Sequence, residues 1–254
     1  MTTRRSFETV RSKVFECIRE GSYEVRLAET RDEIDEAMRL RFRVFKTELA
    51  GSDEINGLEF DDLDLKCDHM IVKHVASGDV IATYRINTVE LAGSVTGFYS
   101  AREFTIDALP EEVLRGGIEL GRACIAREHR NSRVLFLIWK GLLRYLLARE
   151  KRYFFGCCSI FTDDPTVGVT AYRQLLNAGH VEGNYFVEPI ANRVDMIDEN
   201  ADHQVKLPDL FNLYLKLGAR VCSTPIHDRE FGTIDFFVVL DTTRSDERYW
   251  RMFS

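Results

Sequence analysis

The stretch IELGRACIAREHRNSRV, residues 118–134, decides the fold. Its first half, with Gly117 before it, reads as a strand. The apolar run that follows, VLFLIWKGLLRYLLARE (134–150), reads as a long helix with one face for a sheet. A strand that feeds a helix start leaves backbone N–H groups and the positive end of the helix dipole turned toward the loop between them. Arg127, Arg130 and Arg133 cluster at that loop with Ser132, so a phosphate is the expected occupant.

Working outward, YFFGCCSI (153–160) is a second strand. Asp163-Asp164-Pro165 opens a helix through Leu176, and Gly179 stops it. A helix over 208–217 ends at Gly218, and IDFFVVLD (234–241) closes the sheet. On the amino-terminal side, HMIVKHVA and DVIATYRINTV meet at Ser77-Gly78-Asp79, a hairpin signal. Before them lie a strand at 23–28 and a helix capped by Thr30, with Glu33 three residues on. Its apolar stripe is Ile34, Met38, Phe42 and Phe45. Phe7, Val10, Val14 and Ile18 predict an amphipathic helix over 5–20, ended by Gly21. The fold class is therefore mixed α/β: a central mixed sheet flanked by helices, one domain over 22–254 with a carboxy-terminal extension, and an amphipathic helix within 1–21.

Composition narrows the function. Of 254 residues, 45% are hydrophobic and 30% charged, which suits a soluble chain with a sizeable core. No run reaches the roughly 20 apolar residues of a membrane span, and the first residues lack the apolar core of a secretory signal, so a cytoplasmic protein is expected. A net charge of −7 argues against nucleic acid as a partner. Six cysteines with no C-x-x-C pair are expected to be reduced, and Cys157-Cys158 to fill the core. Cysteine and histidine spacing fits no zinc site, and the acidic loop EFDDLDLKCD lacks EF-hand spacing, so no metal is expected.

The order of elements and the 118–134 junction resemble the GNAT acyltransferase superfamily. The superfamily's R/Q-x-x-G-x-G/A loop corresponds here to Arg130-Asn131-Ser132-Arg133-Val134-Leu135, which lacks both glycines. Ordinary acetyl-CoA binding is therefore not expected. A closer resemblance is to the branch that uses acyl carrier protein (ACP) thioesters, including acyl-homoserine-lactone synthases. It rests on Arg41 with Phe45, Asp61 with Asp64, Arg85, Phe104, and Glu119 with Arg122, in that order. Within the branch, LRFRVFKTEL (40–49), FDDLDLKCDHMIV (60–72), FYSAREF (98–104) and LPDLFNLYLKLGARVCSTPIHDREFGTIDFFVVLD (207–241) resemble the ornithine-lipid-forming N-acyltransferase family.

The resemblance implies a long-chain, 3-hydroxylated acyl group moved from acyl-ACP to the α-amino group of an amino acid, ornithine first. No cofactor is implied beyond the donor's phosphopantetheine thioester. Glu119 and Arg122 are the candidate catalytic pair: Glu119 would accept the amine proton, directly or through water, or else is a strand carboxylate paired with Arg122. The backbone of 119–125 would stabilise the oxyanion. Asp61 and Asp64 suit the substrate ammonium, and Arg85 its carboxylate. Arg41 would bridge to the aspartates and order their loop. Phe45 and Phe104 would complete the substrate site, with Phe104, Trp139, Phe136 and Leu142 lining an acyl pocket or else filling core. Arg127, Arg130, Ser132 and Arg133 would receive the donor. His69 has no assigned catalytic role. A lactone-type synthase, acylation of glycine or another amine, and a non-catalytic carrier- or membrane-binding protein stay open. So does a peripheral contact with the inner face of the membrane.

Overall fold

A computed structural model describes residues 16–54, 57–196, 204–245 and 253. Strand β1 (Ile18–Glu20) turns tightly into β2 (Tyr23–Leu27). Most of the helix expected over 5–20 lies outside the described residues, and its last residues form β1 instead. Extended pairing wins there because Ile18–Glu20 finds a free edge on β2.

Helix α1 (Arg31–Phe42) starts at Thr30, whose hydroxyl accepts the Glu33 N–H. The Glu33 carboxylate does not complete a capping box. It bonds the Glu29 N–H and the guanidinium of Arg26 instead. Helix α1 continues as a widened π-helical segment over Arg43–Leu49. Strands β3 (Asp68–His74) and β4 (Val80–Asn87) form the expected hairpin, with Gly78 at φ +80° in the turn. Short helices α2 (Val89–Ala92) and α3 (Glu111–Gly116) interrupt the long loop to β5 (Gly117–Ile125). Then come α4 (Ser132–Ala148), β6 (Tyr153–Phe161), α5 (Pro165–Asn177), α6 (Asp209–Leu217), β7 (Arg220–Val221), β8 (Ile226–Asp228) and β9 (Thr233–Asp241). No helix among the described residues is long and apolar enough to cross a membrane.

The sheet runs in the order β1-β2-β3-β4-β5-β6-β9-β7, and β8 pairs with β9. Every pairing is antiparallel except β5 with β6, and that parallel pairing is short. It holds Gly117 to Tyr153, Ile118 to Phe154 and Glu119 to Phe155, then stops. From there β5 follows β4 and β6 follows β9 over nine residue pairs, so the sheet forks. Two local features hold the fork open. At Gly156 the backbone sits at φ +153°, and a Cβ there would overlap the Leu120 carbonyl. At Arg122, φ is +52° and the register with β4 shifts, a β-bulge that turns the strand away from β6.

Gly156→Ala should therefore destabilise the fold by about 2 kcal/mol or more, since the methyl group must push the fork's own backbone. The urea midpoint reads this, and an unchanged midpoint would contradict it.

Candidate functional site

A cleft opens at the fork. Glu119, Leu120, Gly121 and Arg122 line it from β5; Cys157, Cys158 and Ser159 from β6; Thr233 and Asp235 from β9. Tyr99, Ser100, Phe45, Phe231 and residues of the α6 region close its sides. Beyond Glu119 the β6-facing edge of β5 has no strand partner among the described residues, so its backbone faces the cleft. Glu119 is the last paired residue. Its carboxylate accepts the Tyr99 N–H at 3.0 Å and the Ser100 N–H at 2.7 Å. That fixes Glu119 at the head of the cleft and draws the 98–104 loop over it.

Beside Glu119 lies a buried network of three guanidinium groups and three carboxylates. Arg41 is fully buried and binds Asp64 through two parallel bonds, 2.7 and 3.1 Å, and also Glu59. Arg85 binds both Asp61 oxygens at 2.7 Å and reaches Asp64 at 3.3 Å. Arg122 binds Glu59 at 2.9 Å and Asp61 at 3.2 Å. Burial opposes the charge on Asp64, but the Arg41 guanidinium outweighs it and holds the carboxyl down to about 2. The guanidinium of Arg122 is stacked between the rings of Phe231, at 4.4 Å, and Tyr99, at 4.8 Å. The Asp64 carbonyl accepts the Nε2–H of His69, and burial lowers the pKa of that imidazole. His69 is thus a buried loop support.

On the far wall, Cys157 and Asp235, with Glu103 from an adjoining pocket lined by Tyr99 and Asp228, bring one ligand-type atom each to within 4.8 Å of one another. The Cys157 thiol donates to Glu103 at 3.0 Å. Burial, reinforced by the neighbouring carboxyl groups, holds both Glu103 and Asp235 above the usual carboxylate range. Behind the fork, Leu120, Trp139, Phe154, Tyr214, Val238 and Leu240 line a small apolar void of about 20 Å³, and Leu120, Cys157 and Tyr214 separate it from the cleft.

The structure brings Arg41, Asp61, Asp64, Arg85, Glu119, Arg122 and Phe45 together, as the sequence pattern implied, with altered partners. Arg122 pairs with Glu59 and Asp61 and not with Glu119. Asp61 and Asp64 are occupied by guanidinium groups, and the Asp64 side chain is fully buried, so it does not reach a substrate ammonium. Phe104 lies in the core against Phe237, away from the cleft wall. Leu142 and Trp139 are also core, although Trp139 lines the small apolar void. Cys157 is a cleft residue and not filler, while Cys158 is buried. Arg127, Arg130, Ser132 and Arg133 sit exposed at the start of α4, whose cap is Asn131 accepting the Val134 N–H. Arg130 is tied to the Ile125 carbonyl and to Glu48. Sequence reasoning missed Glu59, Glu103 and Asp235. Glu103 lay within the quoted stretch 98–104, and Asp235 broke the apolar run of the last strand, which was the available signal.

A family model described as an acetyltransferase (GNAT) domain matches residues 40–140. The L-ornithine N(alpha)-acyltransferase of Brucella abortus is 32% identical over 90% of this chain and 88% of its own length. That of Rhodobacter capsulatus is 32% identical over 90% of this chain and 93% of its own. The solved structure of a CoA-dependent acyl-homoserine lactone synthase, BjaI, with MTA superposes at a TM-score of 0.50. It shares 12% identity over 87% of this chain and 82% of its own, a likeness of fold.

Because Glu103 and Asp235 hold protons more tightly when folded than when unfolded, stability should fall as pH rises above about 4, the ordinary carboxylate range. Glu103→Gln removes part of that penalty. Its thermal midpoint should exceed the parent's by about 3 °C at pH 8 and by less at pH 5. Equal shifts at both pH values, or a loss at pH 8, would contradict the assignment.

Proposed function

The chain belongs to the L-ornithine N(alpha)-acyltransferase family, and from that premise we propose that it moves a long acyl group from an ACP thioester to the α-amino group of ornithine. The observation that carries the reading is the fork: it sets one carboxylate, Glu119, against an unpaired strand edge at the head of a cleft with a largely apolar lining.

In this reading the acyl chain lies along the apolar lining of the cleft, past Leu120 toward Phe211 and Tyr214, and the thioester carbonyl rests against the open edge of β5. Backbone N–H groups there face the oxygen that becomes negative on attack. The ornithine α-ammonium gives a proton to Glu119, directly or through water, and the free amine attacks the carbonyl carbon. The tetrahedral adduct collapses to an amide as the C–S bond breaks. The pantetheine sulfur leaves with a proton, and the nitrogen loses its second proton. No cofactor is required beyond the donor thioester. Arg85 and Arg122 lie side by side across the β4–β5 bulge and both edge the cleft, which suits the ornithine carboxylate. Their aspartate partners hold them from behind, a positioning role in place of direct contact with the ammonium.

Two features support a carrier protein as donor. The loop before α4 lacks the glycines that would let a CoA pyrophosphate approach its backbone, and Asn131 already takes an N–H of the first turn. Arg127 and Arg133 are exposed on the same rim, where an acidic carrier would be steered to them despite the net charge of −7.

The purified protein, given hydroxyacyl-ACP, a mixture of amino acids and S-adenosylmethionine, should yield Nα-acyl ornithine by mass spectrometry. A lactone, or an ester with no amide, would refute the reading. Combined Arg127→Glu and Arg133→Glu should raise KM for acyl-ACP on the order of 10-fold and flatten its salt dependence. Unchanged kinetics, or equal use of long-chain acyl-CoA, would remove the carrier from the account.

A further inference from the structure

The far wall of the cleft has features that proton transfer at Glu119 does not use. Asp235 is 4% exposed, and its Oδ1 has no hydrogen-bond partner among the described residues although it lies on the cleft lining. Leaving a buried carboxyl oxygen unbonded costs on the order of 1–3 kcal/mol, so such an atom calls for an absent partner. Glu103 stands within reach of it, and Asp228, on the same wall, accepts the Tyr99 hydroxyl at 3.3 Å. Thr233 and Ser159 offer hydroxyls to the Asp235 carboxyl but leave Oδ1 unpartnered, so two closely spaced carboxyl groups keep one free oxygen for a cation.

We infer that Glu103 and Asp235 form the pocket for the second, terminal ammonium of the acceptor amino acid, and so select a diamino acid over its uncharged analogues. The inference rests on the acceptor reading above. The register supplies the geometry. Glu119 is level with Phe155 on β6, Cys157 lies two residues further on, and Ser159 is level with Asp235. Alternate positions of a strand point to one face, so Glu119, Cys157 and Asp235 share a face. Two residues along a strand span about 6.6 Å. Cys157, whose thiol the two acids approach, thus lies one short aliphatic side chain along from Glu119, and Asp235 is level with Ser159 two residues further on. An α-amine at Glu119 and a terminal amine near Cys157 suit three methylenes between the α-carbon and the terminal nitrogen.

A metal ion is the competing occupant, and it would have to displace protons from all three groups. Burial and the neighbouring carboxyl groups keep the Cys157 thiol protonated, and it spends that proton on Glu103. A metal would need the thiolate, whereas an ammonium offers N–H donors to carboxyl oxygens alone. Arriving there, it would favour ionisation of the acid pair. The groups facing Glu103 are Cys157, Asp235, Asp228 and Tyr99, and Arg122 faces Asp235. Arg122 is the cation beside Asp235, and around Glu103 the charged neighbours are carboxyl groups.

The test measures kcat/KM for ornithine and for norvaline, which is ornithine without the terminal amine, at saturating acyl donor. Wild-type protein is compared with Asp235→Asn and Glu103→Gln, each checked for folding by circular dichroism. Wild type should prefer ornithine by 100-fold or more, and each variant should move that ratio toward norvaline on the order of 100-fold, chiefly through KM for ornithine. Asp235→Asn keeps the side chain's shape, so lost packing does not mimic the effect. If wild type acylates ornithine and the ratio stays put, the pocket is overturned alone. If wild type acylates no ornithine, the acceptor reading falls and the pocket with it. Stoichiometric metal retained by the purified protein and lost in Asp235→Asn would likewise overturn the ammonium assignment.

Discussion

Arg41 is fully buried, and a guanidinium does not give up its proton inside a protein. Its charge has to be met on the spot. The groups that meet it, Glu59 and Asp64, come from the loop ahead of β3, so neutralising Arg41 pins that loop against the sheet. Removing one partner of such a buried pair typically costs about 3–5 kcal/mol, far more than an exposed pair contributes. The rest of the network follows. Glu59 and Asp61 also hold Arg122, and Asp61 and Asp64 hold Arg85, so the guanidinium groups at the cleft have fixed positions. Arg122 has a left-handed backbone at the bulge, and its guanidinium is held by carboxylates and by two aromatic rings. The network thus reaches the fork through Arg122, the residue at the bulge.

The two walls of the cleft solve opposite electrostatic problems. On the arginine side each buried charge has a partner, so the wall is rigid before any ligand arrives. On the acid side Glu103 and Asp235 are left short of counter-charge, and the folded chain carries that strain as raised proton affinity. Such a wall lowers the stability of the empty protein and strengthens the grip on a positively charged ligand. The trade is common where function needs an unsatisfied group.

Much of this was legible in the sequence. Periodicity gave the helices α1, α4, α5 and α6 and the central strands, because each buries a stripe with the period of its own structure. The bridge from Arg41 to Asp64 was foreseeable as a charge that had to be matched. Geometry that depends on long-range register was not legible. No local signal says that β5 and β6 part after Glu119, that α1 widens into a π-helix at Arg43, or that Ile18–Glu20 finds a strand edge. Asp61 and Asp64 read as ligands for an ammonium because a sequence shows no counter-ions, and the arginines that occupy them come from three separate elements. Glu103 and Asp235 lie 132 positions apart in numbering and meet only because β9 returns beside β6. The resemblance assigns Phe104 to the site, yet it packs in the core against Phe237, while Glu103 beside it meets the Cys157 thiol of the cleft.

Proton transfer at the fork is the centre of the account, and Glu119→Gln tests it directly. The amide keeps the shape of the side chain and an oxygen for the Tyr99 and Ser100 amides, and loses the basicity. Single-turnover acyl transfer to ornithine, measured at saturating donor and acceptor on protein with an unchanged circular dichroism spectrum, should slow on the order of 10²-fold or more, with KM values moving far less. A folded Glu119→Gln protein that turns over at close to the parent rate would contradict the account and leave Glu119 as a clamp for the 98–104 loop.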